Sequence, residues 1–262
     1  MAVRDCFRKQ IAKGEGERLW QIYGYASPSD LVLEDLAWTR GVIVTEGPMD
    51  KMQARLVRRG NTGMIRVKQD IPIPGQRRFA LAHELGHWEL HSTESQIFAC
   101  TNDDMVASYR SSILEGEANM FAAGLLMPSS HFLSRAANQV FSLTTIGLLK
   151  EYFLTSLTAT AIRYVELSDD YCAIVCSEAG RVRWWRGSEC FERRFWIQPG
   201  SILSSRTVAA TLFSVTHDIE RCEEVDIDAW SERGFHDGTD TFIEQSKYFQ
   251  NYSNVLSLLR LL

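Results

Sequence analysis

The sequence predicts an α+β fold, with a small antiparallel sheet and helices in its first part and a smaller α+β part at its C-terminal end. Three observations predict it. Helix-period apolar patterns fill much of the first forty residues and return near 77–91 and 112–127. Residues 42–69 hold short β-type runs punctuated by Gly60, Asn61 and Gly63. Beyond Ser168 the texture turns to strands again, which sets a domain boundary between 1–167 and 168–262.

The elements follow in order. GERLWQIYGYA reads as helix, and a second helix opens at SPSDLVLEDLAW, with Ser27 as its cap and Pro28 in its first turn. VIVTEG, ARLVRRG and GMIRVKQ read as strands. GMIRVKQD is either an edge able to pair with an extended peptide or a purely structural edge. Helices follow over 77–91 and over 112–127, where Pro128 ends the second. SHFLSRAANQV, TTIGLLKEYF and LTATAIRYVELS continue as helices, then YCAIVCS and RVRWWRG form strands joined at Ala179 and Gly180. The terminal SKYFQNYSNVLSLLRLL is amphipathic and reads as helix. Trp184, Trp185, Phe191, Phe195 and Trp196 either pack a sheet face or line a ligand-sensing pocket, and strand spacing favours packing.

Composition narrows the class. With 262 residues, 45% hydrophobic and 23% charged, the chain can bury a substantial core. A net charge of −5 gives no global attraction to phosphate, so direct nucleic-acid binding is not expected. No apolar run approaches the ~18 residues of a membrane span, and the N-terminus lacks a signal-peptide core. A cytoplasmic setting with six reduced cysteines is therefore expected. Cys172 and Cys176 alternate with apolar residues and read as core thiols.

The chemistry concentrates in RRFALAHELGHWELH. His83 and His87 are i and i+4, so a helix stacks them on one face, where two imidazoles reach one tetrahedral Zn²⁺. Glu84, next to the first histidine, is aimed at water beside the metal, as a metalloprotease general base is. His91 lies eight residues past His83, about 12 Å along the helix, and reads as a solvated or capping residue. A third ligand should come from the helix that begins LEGEANMF. Glu115 and Asn119 share a face there, so Glu115 can bind metal while the Asn119 amide holds a histidine. This geometry favours Glu115 over Glu117, which remains the alternative and otherwise reads as a solvated charge. Tyr109 and His131 flank that helix as candidate oxyanion donors, or as ordinary surface residues. Histidine and carboxylate ligands suit one zinc ion, with manganese the alternative.

RRFALAHELGHWELH followed by EGEANMFAAGLLMP resembles the ImmA/IrrE family of bacterial and phage-associated metallopeptidases, over roughly residues 40–165. The resemblance implies a zincin-like, gluzincin-type core with Glu115 as third ligand. It also implies a zinc-dependent endopeptidase that cleaves or inactivates a helix-turn-helix repressor, controlling mobile-element, phage or stress-response genes. The C-terminal part is matched only loosely, and a regulatory or sensory role is expected of it.

Two other classes compete. One is a metal-containing module that binds a repressor without cutting it, against which the intact Glu84 argues. The other is a DNA-binding regulator working through residues 143–167. LTATAIRYVEL offers only Arg163 for base or phosphate contacts, so core packing accounts for that segment better.

Overall fold

The computed structural model describes residues 7–50, 52–91, 113–215, 217–231 and 240–262, together with the backbone of 2–6 and 97–101. The chain divides into two compact units, 1–135 with 149–159 and 136–148 with 160–262. Both mix helices with a small sheet, as an α+β fold requires.

In the first unit, helix α1 (Ala2–Tyr23) leads to α2 (Leu33–Thr39). The second helix starts later than expected, and Ser27 does not cap it. The Asp30 carboxylate instead accepts the Ala26 and Ser27 N–H groups at 3.0 and 2.8 Å, closing a separate turn. Short polar side chains compete with helix for nearby backbone in this way.

Strands β1 (Val42–Gly47), β2 (Met52–Arg59) and β3 (Thr62–Lys68) fall where the β-type runs lie, and β4 is Ile97–Thr101. Their order is β1-β3-β2-β4, with β1 parallel to β3 and the other pairs antiparallel. The sheet is therefore mixed, where a purely antiparallel one was expected. The β2–β3 hairpin folds back so that β3 fills the gap between β1 and β2. The end of β1 at Gly47 and the start of β2 at Met52 lie two strand spacings apart, about 9.6 Å, a gap close enough for a short connection. Consequently β3 is interior, paired on both sides, and residues 63–70 do not form the peptide-accepting edge.

One face of this sheet buries Ala54, Leu56, Ile65 and Val67, which meet as cross-strand pairs Ala54↔Val67 and Leu56↔Ile65. Helix α3 (Pro74–Leu90) packs against β2 and β3. On its other side lies α4 (Ile113–Leu126), itself covered by α1. A helix covered from several directions is buried nearly all round, and every residue from Ala80 to Trp88 is buried.

Helix α1 is bound to α4 at several points. A Cβ on Gly16 would stand 2.3 Å from the Phe121 carbonyl oxygen, and one on Gly124 would stand 2.3 Å from that of Lys13. Glycine at both positions lets the backbones touch. Trp20 Nε1 donates to the Leu125 carbonyl at 2.6 Å. Glu17 accepts from the N–H and hydroxyl of Ser129, which opens α5 (Ser129–Ala136).

Helices α6 (Leu143–Phe153) and α7 (Leu157–Leu167) follow. On α7, Arg163 is 1% exposed and pairs with Glu166 at 3.6 Å, so its guanidinium is buried and not presented to a nucleic acid. That unit is built on an antiparallel sheet of order β6-β5-β9-β8-β7. Its strands are β5 (Cys172–Glu178), β6 (Arg181–Gly187), β7 (Ile219–Asp226), β8 (Thr241–Phe249) and β9 (Asn254–Leu261). Ala179 and Gly180 join β5 to β6 with φ of 48° and 71°, as a tight hairpin turn needs. The terminal segment is thus a hairpin of two strands, not a helix. Strand β9 lies in the middle of the sheet and buries both faces, so its run of Leu and Val carries no period-2 alternation.

Short helices α8 (Glu189–Arg194) and α9 (Val208–Leu212) pack on this sheet. Trp185, Phe191 and Phe195 lie in its core with Phe242 and Leu259; packing is as expected, though strand spacing explains only Trp185, since Phe191 lies on α8 and Phe195 caps it. Trp196 instead lines an open cleft of about 400 Å³ together with Trp230 and Asp228. Cys172 and Cys176 lie buried on β5, and burial is the chief cause that pushes each thiol up to about 12. Thiolate is the reactive species, so iodoacetamide at about pH 8 should label the exposed Cys222 and spare both until denaturant is added. Peptide mass spectrometry reads the result, and labelling of Cys172 at the rate of Cys222 would contradict the burial.

Candidate metal centre

The site is assembled where α3 and α4 come closest. A Cβ on Gly86 would stand 3.0 Å from the Ala118 Cα and 3.1 Å from its carbonyl oxygen. The absence of that atom lets the two backbones approach until side chains of α3 and α4 can share one point. His83 and His87 project from successive turns of α3, and Glu115 reaches them from the first turn of α4.

His83 Nε2 lies 3.1 Å from His87 Nε2 and 3.1 Å from Glu115 Oε2, and His87 Nε2 lies 3.3 Å from Glu115 Oε1. Zinc bonds of about 2.0–2.1 Å place tetrahedral ligands about 3.3 Å apart. The spacing and the two-nitrogen, one-oxygen donor set therefore fit such an ion. Among the described residues, this trio is the group of His, Cys, Asp and Glu whose ligand atoms all fall within 4.8 Å of one another.

The remaining ring nitrogen of each histidine is held from behind. Asn119 Oδ1 stands 2.9 Å from His83 Nδ1. An amide oxygen only accepts, so Nδ1 carries the proton and Nε2 presents its lone pair to the shared point. Behind His87, its Nδ1 lies 3.0 Å from His91 Nδ1, and His91 Nε2 lies 2.9 Å from Glu117 Oε2. Arg8 on α1 completes the row, its Nη2 donating to Glu117 Oε2 at 3.2 Å and its Nε pairing with Oε1.

Electrostatics follow from this crowding. Burial pulls the His83 imidazole down, but its hydrogen bond to Glu115 and the charges of Glu84 and Glu115 outweigh it, so the net shift is upward. Burial dominates at His87, which falls to about 4 and is neutral near pH 7. Burial also pushes the Glu115 carboxyl up, yet the two histidines beside it, His83 first, outweigh that and hold it well below the usual carboxylate range. The ionised Glu115 carboxylate and the neutral His87 imidazole are in the protonation state that metal ligation requires, and an ion would displace any proton held on His83 Nε2.

The other candidates are placed as follows. Glu84 is fully buried on α3 beside the trio, and its charge acts on His83. Glu117 is 5% exposed and so is not the solvated charge expected, while His91, 1% exposed, is not solvated but does cap: it is the C-cap residue of α3, its N–H donating to the His87 carbonyl. Their pairing has a sequence signal: His91 is i+4 from His87 and so continues the same helical face. His131 lies with its ring 4.8 Å from that of Trp20, apart from the trio. Tyr109 lies outside the described residues.

Comparison with known proteins comes to the same region. A family model described as IrrE N-terminal-like domain, Peptidase_M78, matches residues 39–164. A solved structure titled "Mycobacterium tuberculosis transcriptional regulator" matches with a TM-score of 0.62 and 17% identity, over 100% of this chain and 93% of that one. At that identity the likeness shows a common fold. No curated protein matches.

Proposed function

Residues 39–164 belong to the M78 peptidase family as its IrrE N-terminal-like domain, and from that premise we propose that this chain is a zinc-dependent endopeptidase with a gluzincin-type core. His83, His87 and Glu115 hold the ion, and Glu84 is the general base. The observation that carries the reading is the convergence of two imidazole nitrogens and a carboxylate at edges of 3.1–3.3 Å. A bound zinc supplies the Lewis acidity that lowers the pKa of water from about 15.7 toward 7 and polarises a peptide carbonyl.

The chain's own residues do the rest. Asn119 keeps the Nε2 lone pair of His83 turned inward. Glu84 takes the proton from the attacking water and passes it to the leaving amine. Burial of the site excludes bulk water and strengthens each of these contacts.

The proposed substrate is a helix-turn-helix repressor in the same cytoplasm, so that cleavage derepresses the genes it silences. Family membership and the fold likeness to a transcriptional regulator support that direction. The C-terminal residues 168–262 are proposed as a regulatory domain, for which the Trp196–Trp230 cleft offers a surface.

Elemental analysis tests the reading on wild type, Glu115→Ala and Glu117→Ala, each then incubated with the repressor encoded nearest the gene. Near-stoichiometric zinc is expected in wild type, with occupancy lost in Glu115→Ala and retained in Glu117→Ala, and repressor cut by wild type. Zinc without cleavage would favour a module that sequesters the repressor instead. Equal zinc in wild type and Glu115→Ala would overturn the ligand set.

No helix among the described residues is long and apolar enough to cross a membrane.

A further inference from the structure

We propose that His91, Glu117 and Arg8 form a positioning relay that fixes the tautomer of His87 and couples the docking of helix α1 to metal affinity. The inference rests on the metal-site reading above and goes beyond it, because Arg8 lies outside the matched residues 39–164.

Arg8 holds Glu117 in place with both nitrogens, through the 3.2 Å bond and the ion pair. The Glu117 carboxylate only accepts, so the 2.9 Å contact puts a proton on His91 Nε2. His91 Nδ1 is then the acceptor, and the 3.0 Å contact puts the proton of His87 on its Nδ1. His87 Nε2 is left with a bare lone pair, facing His83 Nε2 and Glu115. Without the carboxylate, His91 is free to carry its proton on Nδ1, where two N–H groups would oppose each other. His87 would then relieve the clash by moving its proton to Nε2, the form that cannot ligate.

A carboxylate behind a histidine is a familiar support for a ligand. Here a second imidazole separates the two, and the support is anchored on another helix. Burial keeps solvent from supplying substitutes, since His91 and Glu117 are nearly inaccessible while Arg8 remains half exposed. Helix α1 is held to α4 by the Gly16 and Gly124 contacts and by the Trp20 bond, so Arg8 is delivered by a docked helix, not by a loose arm. Coupling of this kind is reciprocal: if α1 strengthens metal binding, metal strengthens the docking of α1.

The test is zinc affinity of the purified full-length chain, stripped and then titrated against a chromophoric chelator. Wild type, Glu117→Leu, Glu117→Gln, His91→Phe, Arg8→Met and Arg8→Lys are compared, with the melting temperature of each metal-free form as control. Glu117→Leu and His91→Phe should bind zinc about 10–100-fold more weakly. Glu117→Gln, which keeps an acceptor oxygen, should recover most of that loss, a rescue that mere space-filling would not give. Arg8→Met should lose about two- to fivefold and Arg8→Lys less. Deuterium uptake in α1 should fall when zinc is added to wild type and fall less in Arg8→Met.

Wild-type affinity in Glu117→Leu and His91→Phe, with one zinc bound by wild type, would overturn the relay and leave the metal site standing. A wild type that binds no zinc would overturn the site reading itself. Should Glu117→Leu fail to fold, Arg8→Met carries the test, because its side chain is half exposed; unchanged zinc affinity and α1 exchange in it would overturn the coupling.

Discussion

Glu84→Gln is expected to keep its zinc and lose its activity, with repressor cleavage falling about 10²–10⁴-fold, the range of a general base. The amide matches the carboxylate in shape, so the packing of α3 between the sheet and α4 should survive. It cannot accept a proton, and it carries no charge to act on His83. His83→Ala should differ in kind, removing a ligand and so losing zinc and cleavage together. The paired measurement is zinc per chain and the initial rate of repressor cleavage on the same preparations. Cleavage by Glu84→Gln at the wild-type rate would refute the assignment of the base, whatever the zinc content. Loss of zinc from Glu84→Gln would instead make Glu84 part of the metal's environment, a role its neighbouring position on the helix does not predict.

The grouping of His83, His87 and Glu115 is legible in the sequence because helical periodicity alone stacks i and i+4, and because an acid near the edge of an apolar face has one direction open to it. The same rule applied once more would have turned His91 inward. Its distance from His83 along the helix set it apart from the trio, and what lies behind His87 is not written in that spacing. Glu117 escaped for a different reason. Its burial depends on Arg8 and His91, which are 109 and 26 positions away and whose convergence no local pattern encodes. Strand positions were legible for β1, β2 and β3, where β-branched runs end at glycine turns. Their order was not, since the parallel pairing of β1 with β3 joins segments separated by the whole of β2, which no local pattern encodes. Strand β9 misled because a strand buried on both faces shows no alternation to distinguish it from a buried helix.

In the second unit, Glu244→Ala should cost about 3–5 kcal/mol, the scale for stripping a buried, fully engaged carboxylate of its role. Glu244 is fully buried on β8, and its two oxygens accept four bonds. Oε2 takes the Val208 N–H at 2.9 Å and Trp230 Nε1 at 2.8 Å, while Oε1 takes the Ala209 N–H at 2.6 Å and the Ser246 hydroxyl at 2.7 Å. Four donors fill the acceptor capacity of a carboxylate. Two of them are the opening N–H groups of α9, whose third goes to the Thr207 hydroxyl at 3.1 Å. Truncation leaves all four donors buried without their acceptor and unties α9 and Trp230 from the sheet at once. Burial pushes the Glu244 carboxyl up from 4.5, and the hydrogen bonds pull it back without fully offsetting the rise. A raised folded-state pKa means the unfolded chain loses this proton first as pH climbs. The contribution of Glu244 is therefore largest below 4.5 and declines as pH rises through the raised value. Urea unfolding followed by tryptophan emission measures both effects, since Trp230 is itself a donor to the carboxylate. The gap between wild type and Glu244→Ala should narrow on going from acid toward neutral pH while remaining open. A variant that unfolds with wild type at every pH would show that the four bonds are replaced when the carboxylate is gone, and that α9 is held by its apolar contacts alone.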